Sequence, residues 1–135
     1  MDNVNDIQIS KNFNLKEFQC KGTGEVKLHG ELLRLLQSLR DDLGQPLIIN
    51  SAYRSKSHNE RIGGAKRSQH LKGTAVDISL RNLNINAHQL SSIVKRVADK
   101  QGISRENLGL GYAKTFLHID VRGLIGDDSP ASWNY

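Results

Sequence analysis

The sequence predicts an α+β domain, a single mainly antiparallel sheet flanked by helices. Three observations lead there. Two stretches place their apolar residues at helical spacing, residues 74–80 alternate at strand period, and two further strand-like runs follow each other late in the chain with only a short turn between them. Strands that cluster late, with helices between the early ones, suit an antiparallel sheet better than a repeated parallel βαβ unit.

The elements follow in order. Residues 1–11 are polar and are expected to be a flexible tail. Phe13, Leu15 and Phe18 can pin the next segment to a core, and residues 22–25 read as a loop. Apolar residues at 28, 32, 35, 36, 39 and 43 form one helical stripe, which Gly44 and Pro46 end, so a helix is expected over 27–43. The run 46–50 reads as a short buried strand. Ser57 and Glu60 have capping-box spacing for a short helix that Gly63 and Gly64 terminate, and Glu60 then needs no chemical role. In residues 74–80, Val76, Ile78 and Leu80 face one way and Ala75, Asp77 and Ser79 the other. Asn86 is a candidate N-cap for a helix whose stripe is Leu90, Ile93, Val94 and Val97 and whose stop is Gly102. Residues 108–111 and 115–121 read as strands, and the turn-rich residues 124–135 as a tail from which Trp133 docks back.

Composition narrows the function. A chain of 135 residues with 37% apolar and 24% charged residues fits one soluble domain with one core. No apolar run approaches the ~18–20 residues of a membrane span, and the first residues, with two aspartates and no apolar stretch, do not resemble a secretory signal. The net charge of +5 favours anionic surroundings, either nucleic acid or wall polymer. The basic residues are scattered, however, and aromatics make up only 5%, which does not suit a base-stacking surface; no nucleic-acid partner is expected. Cys20 stands alone, which excludes both an internal disulfide and a multi-cysteine zinc site; a buried thiol is the expectation. Any metal site must therefore use histidine and carboxylate.

Those residue types recur at informative spacing. On the strand over 115–121, alternation sends Phe116, His118 and Asp120 to one face and Leu117, Ile119 and Val121 to the other. Asp77 has small neighbours on its own strand, Ala75 and Ser79, which leave space around it. His70 precedes that strand by a loop in which Gly73 permits a sharp turn. Two imidazoles and one carboxylate would give a tetrahedral zinc ion with its fourth position open. Spacing alone also fits a histidine in a solvated loop and an aspartate capping a turn.

The ordered pattern Ser68-x-His70-x-x-Gly73-x-Ala75-x-Asp77, followed by His118-x-Asp120, resembles the signature of zinc D-alanyl-D-alanine carboxypeptidases and related murein endopeptidases. That family includes phage lysins and shares its fold with the signalling domain of hedgehog proteins. Upstream, Ser51-x-Tyr53-Arg54-Ser55 and His58-Asn59, followed by Gly63-Gly64-Ala65, resemble its carboxypeptidase-like branch. The resemblance spans residues 12–123, the expected peptidase domain. It implies that His70, Asp77 and His118 are zinc ligands and that Arg54 holds a substrate carboxylate or polarised carbonyl, a task suited to its fork of donors. Ser68 becomes a substrate-facing or turn-stabilising hydroxyl. Tyr112 and His58 are candidates for hydrogen bonds to the substrate. Where some relatives carry an acid three residues before the last histidine ligand, this chain has Thr115, and its acid is instead Asp120. Asp120 is then either the general base or the group that orients a ligand imidazole, with the orienting role favoured.

The implied protein is a monomeric zinc peptidase that cuts an amide in the peptide of peptidoglycan. The alternative is an inactive zinc-holding module of the same fold. With no signal, the expected setting is synthesis in the cytoplasm and action on the wall, as for a phage lysin released through a holin.

Overall fold

In the structure, a computed structural model that describes residues 3–135, both long helical stripes form helices and bury their apolar faces. Helix α1 (Gly30–Leu43) buries Leu32, Leu35, Leu36 and Leu39, each side chain contributing about 1.5–3 kcal/mol. It starts three residues later than its apolar stripe suggests, because His29 caps it: the His29 side chain accepts the Glu31 N–H, and Leu28 packs from outside the helix. Gly44 ends it in the left-handed conformation, at φ +63°. Helix α3 (Ala87–Gln101) has the expected N-cap. Asn86 accepts from Gln89 N–H while the Gln89 side chain accepts from Asn86 N–H, and Gly102 closes the far end. Helices α1 and α3 pack on each other, and α3 lies against the sheet. Among the described residues, no helix is long and apolar enough to cross a membrane.

The sheet has five strands, β1 (Ile49–Ser51), β2 (Ala75–Ser79), β3 (Gly109–Tyr112), β4 (Phe116–Asp120) and β5 (Ala131–Asn134), in the order β1-β2-β4-β3-β5. The first four pair antiparallel; β5 adds to β3 in parallel. One face of the sheet carries Val76, Ile78, Leu110, Leu117 and Ile119 into the helical core. The other carries Asp77, His118 and Asp120, and the chemistry lies there.

Three expectations need correction. The short helix α2 (Lys56–Arg61) is capped by Ser55, whose hydroxyl accepts the His58 N–H, and not by Ser57. Residues 124–135 are no tail: β5 belongs to the sheet, so the folded unit extends past residue 123. Of the expected N-terminal tail, residues 1 and 2 lie outside the described residues. The remainder is tied down, with the Asn5 side chain donating to Gln19 Oε1 and the Gly24 carbonyl, and Gln8 bridging to Asn14. The segment after it behaves as expected: Phe13 is buried just before, and Phe18 at the end of, a 3-10 turn (Leu15–Phe18) capped by Asn14.

Candidate metal centre

Sheet pairing assembles the centre. In the β2–β4 ladder Asp77 stands directly opposite His118, and alternation turns both to the face away from the helices. His70 arrives from a 3-10 helix (Gln69–Lys72) that begins with Ser68 and ends at Gly73. Gly73 has φ +71°, and a β-carbon there would lie 2.7 Å from the backbone of Lys27, so only glycine suits this turn. The Ser68 hydroxyl accepts the His70 N–H at 3.2 Å. Its place as the turn's cap argues for the turn-stabilising role rather than for substrate contact.

The three side chains converge. Asp77 Oδ1 lies 3.3 Å from His70 Nε2 and 3.0 Å from His118 Nδ1. Two donors about 2 Å from one tetrahedral ion stand roughly 3.4 Å apart, so these separations suit a shared zinc. One ligand atom from each residue fits within a 4.8 Å cluster, and all three residues are buried.

The outward nitrogens matter equally. His70 Nδ1 lies 2.7 Å from the Ala52 carbonyl, which can only accept, so Nδ1 carries a proton, and in the neutral imidazole Nε2 would be free to turn its lone pair to a metal. The Arg54 N–H donates to the His70 carbonyl, tying the same segments together again. For His118 the outward atom is Nε2, at 2.7 Å from Asp120 Oδ2. Asp120 in turn takes three bonds from Arg122: its backbone N–H and Nε reach Oδ1, and Nη2 reaches Oδ2. Bulk on the neighbouring strand would disrupt this packing, since a β-carbon at Gly109 would lie 2.6 Å from Arg122 Nε.

The charges follow from these contacts. Burial alone would raise the Asp77 carboxyl, but hydrogen bonds from His118 and His70 outweigh it and hold the group well below the usual carboxylate range. Asp120 is also pushed up by burial, yet His118 and Arg122 bring it down to about 2. Burial works against a charged His118, whereas its bonds to Asp120 and Asp77 favour it, and the net direction is upward. Without metal, both ring nitrogens of His118 face carboxylates, an arrangement that favours its protonated form. A cation replacing its Nδ1 proton would meet the same negative surroundings.

Arg54 reaches the edge of this cluster, its Nη2 3.9 Å from Asp77 Oδ2. Nη1 donates to Asn59 Oδ1 at 3.0 Å and Nε to the Ser51 hydroxyl at 3.3 Å. Asn59 is buried and also donates to the Ala65 carbonyl, so it joins α2 to the following loop while fixing the guanidinium. Gly64 leaves the space, because a β-carbon there would lie 2.9 Å from Arg54 Nη1. The adjacent His58-Asn59 and Gly63-Gly64 pattern was the only sequence signal for this support.

Two candidates point elsewhere. Tyr112 shares the helix-facing side of β3 with Leu110 and stacks on His88 of α3, ring centroids 4.3 Å apart. Strand alternation puts it across the sheet from His118, so it is not a substrate contact. His58 packs over Gly22 with its Nδ1 buried and unpartnered. Cys20 is buried as expected, beside Ser55; burial would raise its thiol, but hydrogen bonds, chiefly from Ser55, bring it to about 7.

Trp133 docks back as the sequence suggested, and the structure adds the place, over His118. Trp133 of β5 packs on it with ring centroids 4.9 Å apart, and the Arg122 guanidinium lies 5.2 Å from the indole. Strand pairing is the reason, since Trp133 aligns with Gly111 and Gly111 with His118.

Comparison with known proteins agrees with this centre. The chain is 32% identical over 89 residues to a zinc D-Ala-D-Ala carboxypeptidase of Streptomyces albus G, an alignment covering 65% of this chain and 32% of the relative. The chain thus spans about a third of the length of the curated relative it matches. The profile described as peptidase M15 matches residues 11–120, a span that holds Arg54, His70, Asp77, His118 and Asp120. A zinc cofactor is what this ancestry and the two-imidazole, one-carboxylate donor set both call for. The chain belongs to the peptidase M15 family.

Proposed function

We propose that the chain is a zinc-dependent peptidase that hydrolyses an amide bond in the peptide part of peptidoglycan, of the D,D-carboxypeptidase or endopeptidase type. The observation that carries the reading is the convergence of His70 Nε2, Asp77 Oδ1 and His118 Nδ1, each imidazole fixed through its other nitrogen. These three residues would hold zinc, which when bound polarises the scissile carbonyl and acidifies water. The remaining work falls to the chain itself. Arg54, braced by Asn59 and Ser51, points its donors at the place where a carbonyl oxygen gains charge or a terminal carboxylate docks. Asp120 holds the His118 Nε2 proton and is 0% exposed, with both oxygens already engaged. It therefore orients the ligand and does not act as the base.

The protein is expected to act as a monomer on the cell wall, where its basic surface favours anionic polymer. The origin that suits this best is a phage lysin. One observation keeps a second reading alive, a zinc-holding binding module without turnover: Asp120 is withdrawn from the open face, and Thr115 stands where some relatives carry an acid. Zinc-loaded protein incubated with muropeptides separates the two. Turnover is expected to release new amine from the wild type, with one zinc per chain by elemental analysis and neither in His70→Ala. Zinc without released amine would establish the module.

A further inference from the structure

The open face of the sheet has an aromatic side. On β3 the positions facing that way are Gly109 and Gly111, so the strand offers no side chain there. Trp133 leans over this bare strand from β5 to reach His118, and a β-carbon on Gly111 would lie 2.7 Å from its indole. Tyr135 continues the pairing through its N–H to the Tyr112 carbonyl. Its ring lies 5.0 Å from Phe116, centroid to centroid, and 6.3 Å from Trp133. Tyr135 nevertheless remains 67% exposed, and Trp133 is only partly covered. Trp133 and Tyr135 lie beyond the residues that match the family profile, which end at 120.

We propose that Phe116, Trp133 and Tyr135 form one wall of the substrate cleft, a subsite for a neutral group rich in C–H bonds. This rests on reading the His70–Asp77–His118 centre as that of a peptidase. Flat rings with open faces beside a reacting centre gain most by covering apolar surface, through dispersion and water release. The wall brings no uncompensated charge, because Arg122, its one cation, is neutralised by Asp120. In peptidoglycan two groups have this chemistry, the methyl of an alanyl residue and the C–H face of a sugar ring. Trp133 and Tyr135 stand on the β5 side of the metal ligands, with Phe116 on the His118 strand itself, opposite the β1 side from which Arg54 enters. The wall therefore holds the part of the substrate that extends away from the group bound by Arg54.

Tyr135 is the residue to test, because it touches no metal ligand and its exposed position at a strand end tolerates change. Calorimetric titration of metal-free protein with two ligands, a stem peptide and the same peptide carrying its disaccharide, reads the wall without turnover. Tyr135→Ala is expected to weaken binding about five- to tenfold, and Tyr135→Phe to restore it, since the ring and not the hydroxyl makes the contact. In zinc-loaded protein the same variant should raise KM by a similar factor with kcat within about twofold and zinc content unchanged. Loss with both ligands assigns the subsite to an alanyl methyl; loss only with the disaccharide assigns it to the sugar face. Unchanged binding of both ligands by Tyr135→Ala overturns the wall, as does a wild type that binds neither. Binding that depends on Tyr135 in a protein without turnover would overturn the peptidase reading and leave the wall standing.

Discussion

The two histidines of the centre are held by different means. His70 sits on a short turn, its outer nitrogen fixed by a main-chain carbonyl, that of Ala52. His118 sits in the middle of a sheet, its outer nitrogen fixed by Asp120, which Arg122 fixes in turn. A carbonyl acceptor is neutral and cannot be removed by changing a side chain. A carboxylate adds charge, raises the basicity of the imidazole, and can be edited. The loop half of the site thus depends on its backbone, and the strand half on a buried ion pair.

The strongest way to break this asymmetry is Asp120→Asn. The amide keeps its shape but loses the charge and leaves the half-buried Arg122 without its carboxylate partner. Zinc affinity or turnover is expected to fall roughly 10- to 100-fold, measured by competition with a chromogenic chelator. A fall of less than threefold would mean that His118 does not depend on its carboxylate. The next effect is on acid stability. The folded pKa of Asp120, about 2, lies below its ordinary 3.8, so the group stabilises the fold above about pH 4. That stabilisation, about 2 kcal/mol, is lost as pH falls through 2. Urea denaturation of metal-free protein between pH 5 and pH 2 should show a shallower slope in Asp120→Asn than in wild type, the remainder coming from Asp77, which is also held below its ordinary range. The smallest effect belongs to the loop half. Ser68→Ala removes a turn cap and should cost about 0.5–2 kcal/mol in thermal denaturation, with zinc affinity falling less than in Asp120→Asn. If Ser68→Ala hurts zinc binding more, the loop is the weaker support and the comparison reverses.

Much of this was legible in the residues because periodicity carries it. Helix α3, from its Asn86 cap to Gly102, and the facing of Asp77, His118 and Asp120 follow from spacing alone. Two errors had a signal that was present but misapplied. Ser55 and Ser57 flank Lys56, the first residue of α2, and only the backbone decides which one caps it. Alternation on β3 puts Tyr112 on the face opposite Gly111, so its exclusion could have been read directly from the strand. Other features had no local signal. The clamp of Asn59 on Arg54 is a tertiary contact, and β5 is four residues of weak strand character that pair in parallel with a strand some twenty residues earlier. The split of roles at Asp120 was open in the sequence for the same reason, since Arg122 lies two residues away and its direction depends on the space left by Gly109.

The contact between Trp133 and His118 has a practical consequence. The chain contains one tryptophan, so all of its indole emission originates beside a single imidazole. A protonated imidazole accepts an electron from an excited indole more readily than a neutral or metal-bound one. The protein thus carries its own optical probe, with emission that should brighten as His118 gives up its proton. Zinc binding is therefore expected to change this emission, which fluorimetric titration of the metal-free protein would check.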